Sequence, residues 1–268
     1  MKLVHFLKSH VQFTVFLVLA LLIGGVAVFA PAIAPADPYE AVMDNSLLPP
    51  DGQHLCGTDK LGRDVLSRVI YGTRSSLRMT LILVGTGLGI LAGYFGGALD
   101  AVIMRIADMM ISFPGLVLAI AIAGMLGPNL VNAVIAISAV SWTKYARLAR
   151  SLVLKIKSEL YMEAAVVTGT RTLGILKRYV VPNMITTLIV TAATDIGTMM
   201  LELAGLSFLG FGATAPTPEW GLMLNEGRTY LTKAPWLMIY PGIAIVIVVV
   251  VFNMLGDSIR DILDPKQE

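Results

Sequence analysis

Asp195 and Glu202 lie inside an apolar run at 184–205, with Met199 between them. Seven residues apart, they share one stripe of a helix, two turns from each other. Ionisable groups at bilayer depth are costly and face a bundle interior or water. Two readings stand: carboxylates and a thioether lining a pathway for a cationic cargo, or acids paired with neighbouring helices while Met199 packs. His54, Cys56 and Asp59 have the types of metal ligands, but three residues of one flexible loop do not fix a coordination geometry, and no metal site is expected. No nucleophile–base set is visible, so no catalytic residue is named and an enzyme is not expected. Gly-Lys does not occur, so the phosphate-binding GxxxxGK[ST] loop has no match and nucleotide work falls to a partner.

The chain of 268 residues is 56% hydrophobic and 14% charged, with mean hydropathy +0.77, values of a multi-span membrane protein. Its net charge of +2 says little, since charge placement matters more than the total. Cys56 is the only cysteine, which rules out an intrachain disulfide. Apolar runs near 11–30, 77–98, 113–127, 130–148, 184–205 and 237–255 predict an all-α membrane protein with six transmembrane helices. The first run, preceded by Lys2 and Lys8, has about the 20 residues of a full span, so it reads as a retained anchor rather than a signal peptide. Together with an external segment it makes up an N-terminal region, residues 1–75; the remainder, 76–268, is the transmembrane domain.

Lysine and arginine placement sets the orientation. Lys144, Arg147, Arg150, Lys155, Lys157, Arg171, Lys177 and Arg178 face only Glu159 and Glu163, whereas the loop after the fifth run offers Arg228 and Lys233. The insert at 158–182 is therefore expected in the cytoplasm, as are both termini, in a multi-pass cytoplasmic-membrane protein. Segment 31–76 then lies outside with Lys60, Arg63, Arg68 and Arg74 among six acids, against the tendency, which suggests an interfacial helix within it. Asp59, Arg63, Asp64 and Arg68 alternate in sign at near-helical spacing and read either as a salt-bridged cap or as a solvated turn. Gly85, Gly89 and Gly93 make a small-residue stripe, for ordinary packing or for a surface that slides.

A long helical insert kept in water between spans suggests that something docks on it, or that it lies on anionic lipid. Glu163-Ala164-Ala165, Gly169 and Pro182 stand in the register EAA-x3-G-x9-I-x-L-P, with Tyr179 and Val181 at the Ile and Leu positions. This resembles the EAA loop of ABC-importer permeases. Gly57-Thr58-Asp59 through Gly62-Arg63-Asp64 to Ser67-Arg68, then Gly72-Thr73-Arg74-Ser75-Ser76-Leu77, are similar to elements of the dipeptide, oligopeptide and nickel branch. So are Arg105-Ile106-Ala107-Asp108, Ser112-Phe113-Pro114, Leu206–Gly210 with Pro216–Gly221, and Asn253 with Gly256-Asp257, Arg260-Asp261 and Asp264-Pro265. The short external segment resembles the C-type subunit, and Asp195–Gly197 with the block 210–221 is most similar to nickel permeases.

The resemblance implies a MetI-like permease fold in which the insert forms a coupling helix seated in a groove of a separate ATPase. Tyr161, Ala164, Ala165 and Val166 would offer it an apolar surface, Glu163 a charge that orients docking, and Gly169 a positive-φ corner between two short helices. It further implies a homologous second permease subunit, two ATPases that bind ATP and Mg, an extracytoplasmic binding protein and contact with membrane lipid; this chain binds no cofactor, and no nucleic acid is expected. The cargo would be nickel or a metal chelate, or else a di- or oligopeptide, moved by alternating access. A carrier driven by an ion gradient or a channel, using Asp195 and Glu202 directly, is the rival from another class, and a non-transporting scaffold a further one.

Overall fold

The computed structural model describes residues 10–76 and 82–263, whose regular structure is helical, with no strand beyond a single bridge between Thr58 and Asp64 and with irregular chain over most of 34–64 and 209–219. Lys2, His5, Lys8, Leu77, Asp264 and Pro265, and hence both termini, lie outside the described residues. The helices are α1 (Val11–Ile33), α2 (Val65–Ser76), α3 (Ile82–Phe95), α4 (Gly97–Ile111), α5 (Gly115–Leu126) and α6 (Leu130–Lys157). They continue as α7 (Leu160–Val167), α8 (Thr172–Ile175), α9 (Val181–Phe208), α10 (Trp220–Gly227) and α11 (Trp236–Leu263).

Among the described residues three segments are long and apolar enough to cross a membrane: α1, residues 172–208, and α11; a fourth is counted if α4 and α5, bent 95° from each other, form one broken span. α5 alone has 12 residues, about 18 Å at helical rise, short of a hydrocarbon core of about 30 Å. Between the second and third apolar runs the chain forms the 15-residue α4, whose Asp100, Arg105 and Asp108 interrupt its hydropathy. The helix leading into the fifth run starts at Thr172, ten residues before Pro182, and passes through that proline by way of a π turn at Leu176–Val180. Proline lacks an N–H, and its ring crowds the carbonyl four residues back, here that of Arg178; a widened turn at that point relieves the crowding.

Described residues of 1–79, 120–135 and 193–268 make one unit, and those of 80–119 and 136–192 a second. In the first, α11 packs on α1, α2 and α10 around Val65, Met200, Trp220, Met223, Leu237 and Val248. Two tryptophans fasten the segment before α2 and α2 itself: Trp236 Nε1 donates to the Thr58 carbonyl at 3.2 Å, and Trp220 Nε1 to that of Val69 at 2.9 Å. α2 and α10 are each capped by an acid. The Asp64 carboxylate accepts from Ser67 N at 2.8 Å, and buried Glu219 accepts from Gly221 N and Leu222 N at 3.0 and 2.9 Å. α1 buries only Ala30, leaving a face of valine, leucine and phenylalanine suited to lipid.

In the second unit the glycine stripe of α3 runs against α6. A Cβ at Gly85 would stand 2.4 Å from the Trp142 carbonyl, and one at Gly89 2.3 Å from that of Ala146. The stripe therefore serves backbone-to-backbone packing within this chain. Below it, Val153 and Ile156 of α6 meet Met162, Ile175, Val180 and Met184 in one apolar cluster.

Candidate functional site

α7 is tied to the end of α6 by a tight turn, in which Ser158 N donates to Lys155 O and Glu159 N to Ile156 O. Its inner face is Met162 and Ala165, spaced by three residues and buried. The end of α7 is a Schellman motif: Thr170 N donates to Ala165 O at 3.1 Å and Gly169 N to Val166 O at 3.0 Å, with Gly169 at φ +74°. The Thr168 hydroxyl also donates to the carbonyls of Ala164 and Ala165. The carbonyls of Ala165 and Val166, two that the end of the helix would otherwise orphan, are thereby satisfied as the chain turns into α8.

Of the residues named for this surface, Glu163 and Ala164 are exposed, and Tyr161 is 41% exposed, stacked on Tyr179 with ring centroids 6.2 Å apart. Val166 is exposed as well. Ala165, named with them, is 4% exposed and lies on the inner face, one turn after Met162, which anchors that side in the apolar cluster. Two residues not expected on this surface take its place. Leu160 and Val167 are 82% and 87% exposed and align with Ala164 at positions i, i+4 and i+7, the spacing of one helix stripe. Their signal was present in the sequence as an apolar triplet at helical period. The result is a short helix fixed by one face, presenting an apolar stripe edged by Glu163, beside a cleft lined by Tyr94, Lys157, Met162, Glu163, Val166 and Val167.

Within α9, Asp195 is buried at 8% exposure, while Met199 and Glu202 are half-buried. The backbones of α9 and α11 come close here: a Cβ at Gly197 would lie 2.7 Å from Asn253 Oδ1, and one at Gly256 2.4 Å from Thr194 Cγ2. Asp195 is thus buried beside a close helix contact, while Met199 and Glu202 keep part of their surface exposed.

The charge alternation before α2 is an ion cluster, not a solvated turn. Arg63 Nε donates to Asp59 Oδ2 at 2.6 Å, and Arg68 donates to the same oxygen. Both arginines, each 1% exposed, also reach Glu226 Oε2 of α10, at 3.3 and 3.1 Å, and Lys60 lies 3.5 Å from the other Glu226 oxygen. His54 Nδ1 is 3.0 Å from Asp64 Oδ1, so His54, Cys56 and Asp59 each belong to separate contacts. Burial, helped by the Asp64 charge, pushes the Cys56 thiol up. The cluster also accounts for the excess of arginine in segment 31–76: Arg63 and Arg68 are consumed internally, and the exposed charges at 37–51 are Asp37, Glu40, Asp44 and Asp51.

Among known proteins, the family described as binding-protein-dependent transport system inner membrane component matches residues 85–268. The dipeptide transport system permease protein DppC of Alkalihalophilus pseudofirmus is 43% identical over 249 residues, covering 91% of this chain and 82% of that protein. The nickel transport system permease protein NikC of Escherichia coli is 40% identical over 266 residues, 97% of this chain and 96% of its own. The glutathione transport system permease protein GsiD of Pectobacterium atrosepticum is 41% identical over 269 residues, 97% and 89% of the two chains.

Proposed function

The chain belongs to the family of binding-protein-dependent transport system inner membrane components, and from that premise we propose that it translocates a small peptide-like solute as one permease subunit of an ATP-driven importer. The observation that carries the coupling role is α7: a helix clamped by Met162 and Ala165, closed by Gly169, with Leu160, Ala164 and Val167 outward. Such a helix has a groove-shaped partner in an ATPase subunit, and Glu163 at its edge and Tyr161 at its flank orient the contact. Turning a conformational equilibrium from 1:99 to 99:1 takes about 5.5 kcal/mol, which a helix fastened to α6 and to the start of α8 transmits and a free loop does not.

The rest of the assembly follows from the same reading. The six apolar runs of the sequence, taken as six spans where the helices supply three or four of spanning length, would put both termini and α7 in the cytoplasm; a homologous second permease subunit completes the pathway, two ATPases bind ATP and Mg, and an extracytoplasmic binding protein delivers cargo. In this chain Met199 and Glu202 are better placed to meet cargo than buried Asp195. The relatives named for dipeptide and glutathione transport favour a peptide-like cargo. Similarity to NikC over 97% of the chain supports a second reading, nickel carried as a chelate shaped like a small peptide.

Reconstituting the chain with its neighbouring permease, ATPases and binding protein in proteoliposomes, then offering labelled dipeptide and labelled nickel in competition, tests both. ATP-dependent uptake of one, blocked by its unlabelled form, assigns the cargo. Uptake by the chain alone under an ion gradient, without ATP, would point instead to a gradient-driven carrier.

A further inference from the structure

The motif Arg105-Ile106-Ala107-Asp108 lies on α4, and the coupling role does not use it. α4 packs through a narrow stripe that includes Ile103 and Ala107, and the opposite half of its circumference is exposed. That exposed half is apolar at Val102, Ile106 and Met109, at helical spacing, and carries Arg105 beside them. The neighbouring charges are matched in pairs: Arg150 donates to both oxygens of Asp100 at 2.5 Å, and Arg147 donates to Asp108. Arg105 has no ion pair or hydrogen bond among the described residues, so it is the surplus cation of this edge.

Two observations argue against lipid as what covers this face. An unmatched guanidinium in a hydrocarbon-facing stripe is costly and rare. The adjoining Asp108–Arg147 pair, with side chains 54% and 45% exposed, adds two more charged groups to this edge and borders an open cleft lined by Met104, Asp108, Arg147 and Arg150, and a hydrocarbon covering would have to desolvate all of them. α4 and α5 pass the length and apolarity test for a span only together, bent by 95° from each other, and discontinuous helices of this kind line solute sites in secondary transporters.

We propose that this edge of α4 binds cargo in transit, Arg105 taking the terminal carboxylate of a small peptide while Val102, Ile106 and Met109 receive the adjoining apolar side chain. The inference rests on the peptide-cargo reading. An arginine fork matches a carboxylate in two parallel hydrogen bonds, and its charge repels a bare metal cation.

The test uses the whole complex in proteoliposomes, with the binding protein saturated in turn by alanyl-leucine and by its C-terminal amide. Arg105→Gln is expected to slow uptake of the free acid about tenfold or more, the loss of one charge-assisted contact, and to change the amide by less than about twofold. Arg105→Lys should restore part of the free-acid rate. Equal loss with both peptides, as expected if Arg105 serves lipid head groups or folding, overturns the proposal, and so does an unchanged free-acid rate. If the wild-type complex moves neither peptide, the cargo reading itself falls, a result seen before any variant is compared.

Discussion

Replacing Glu226 by alanine should damage this chain more than any change at an exposed charge. The carboxylate is one of two anions facing two arginines that are each 1% exposed; Asp59 is the other. Without Glu226 the site holds two guanidinium groups against one carboxylate, with Lys60 beside them as a third positive charge. Breaking a buried ion pair from one side costs about 3–5 kcal/mol, because the remaining charge is left in a poorly solvated place. That is a large part of a total stability of about 5–15 kcal/mol. At about 2–4 °C per kcal/mol for chains of this size, the midpoint of thermal unfolding should fall by roughly 6–20 °C. Purified protein in lipid nanodiscs, melted with a tryptophan fluorescence readout, measures it, since Trp220 and Trp236 sit in the same unit. The double change Glu226→Met with Arg68→Met should recover most of the loss, because replacing a buried pair by apolar groups of similar size is often neutral. A single variant that melts within a degree of wild type, or a double variant less stable than both singles, would refute the reasoning.

On α7, Leu160→Asp or Val167→Asp should leave stability within about 0.5 kcal/mol, since both side chains are exposed, yet abolish co-purification with the ATPase and transport; Ala165→Glu should instead lower the amount of folded protein, as seen by detergent-solubilised yield. Gly89→Leu forces a side chain to where the Ala146 carbonyl already sits 2.3 Å from a Cβ, and should cost at least about 1–3 kcal/mol by melting. Cys56, whose thiol is raised by burial and by Asp64, should react slowly with a maleimide, its rate still climbing at pH values where an exposed thiol has levelled off; a normal rate in the folded protein would contradict the burial.

Much of this was legible from spacing, and the failures have physical causes. Gly169 announced its left-handed corner because a helix that ends between two turns needs a residue without a Cβ. Ala165 could not be told from Ala164 by type. Which alanine faces inward depends on Met162 reaching Ile175, Val180 and Met184, contacts that are set by the return of the chain. The sign alternation at 59–68 pointed to ion pairing, but the second acid lies 158 residues beyond Arg68, where no local period reaches. α4 escaped as an element because Asp100, Arg105 and Asp108 broke the apolar run, although Val102, Ile106 and Met109 kept helical spacing. Pro182 closed the motif in the sequence, but no residue type there announced the π turn that carries the helix through it.

The separation between Arg68 and Glu226 also has a meaning in time. A ribosome adding about 5–20 residues per second needs roughly 8–30 s to travel those 158 positions. Throughout that interval two nascent guanidinium groups share a single anion, Asp59, and the ionic core is half built. Whatever machinery inserts the chain must tolerate this unbalanced intermediate, and a stall before codon 226 would leave Arg63 and Arg68 with Asp59 alone.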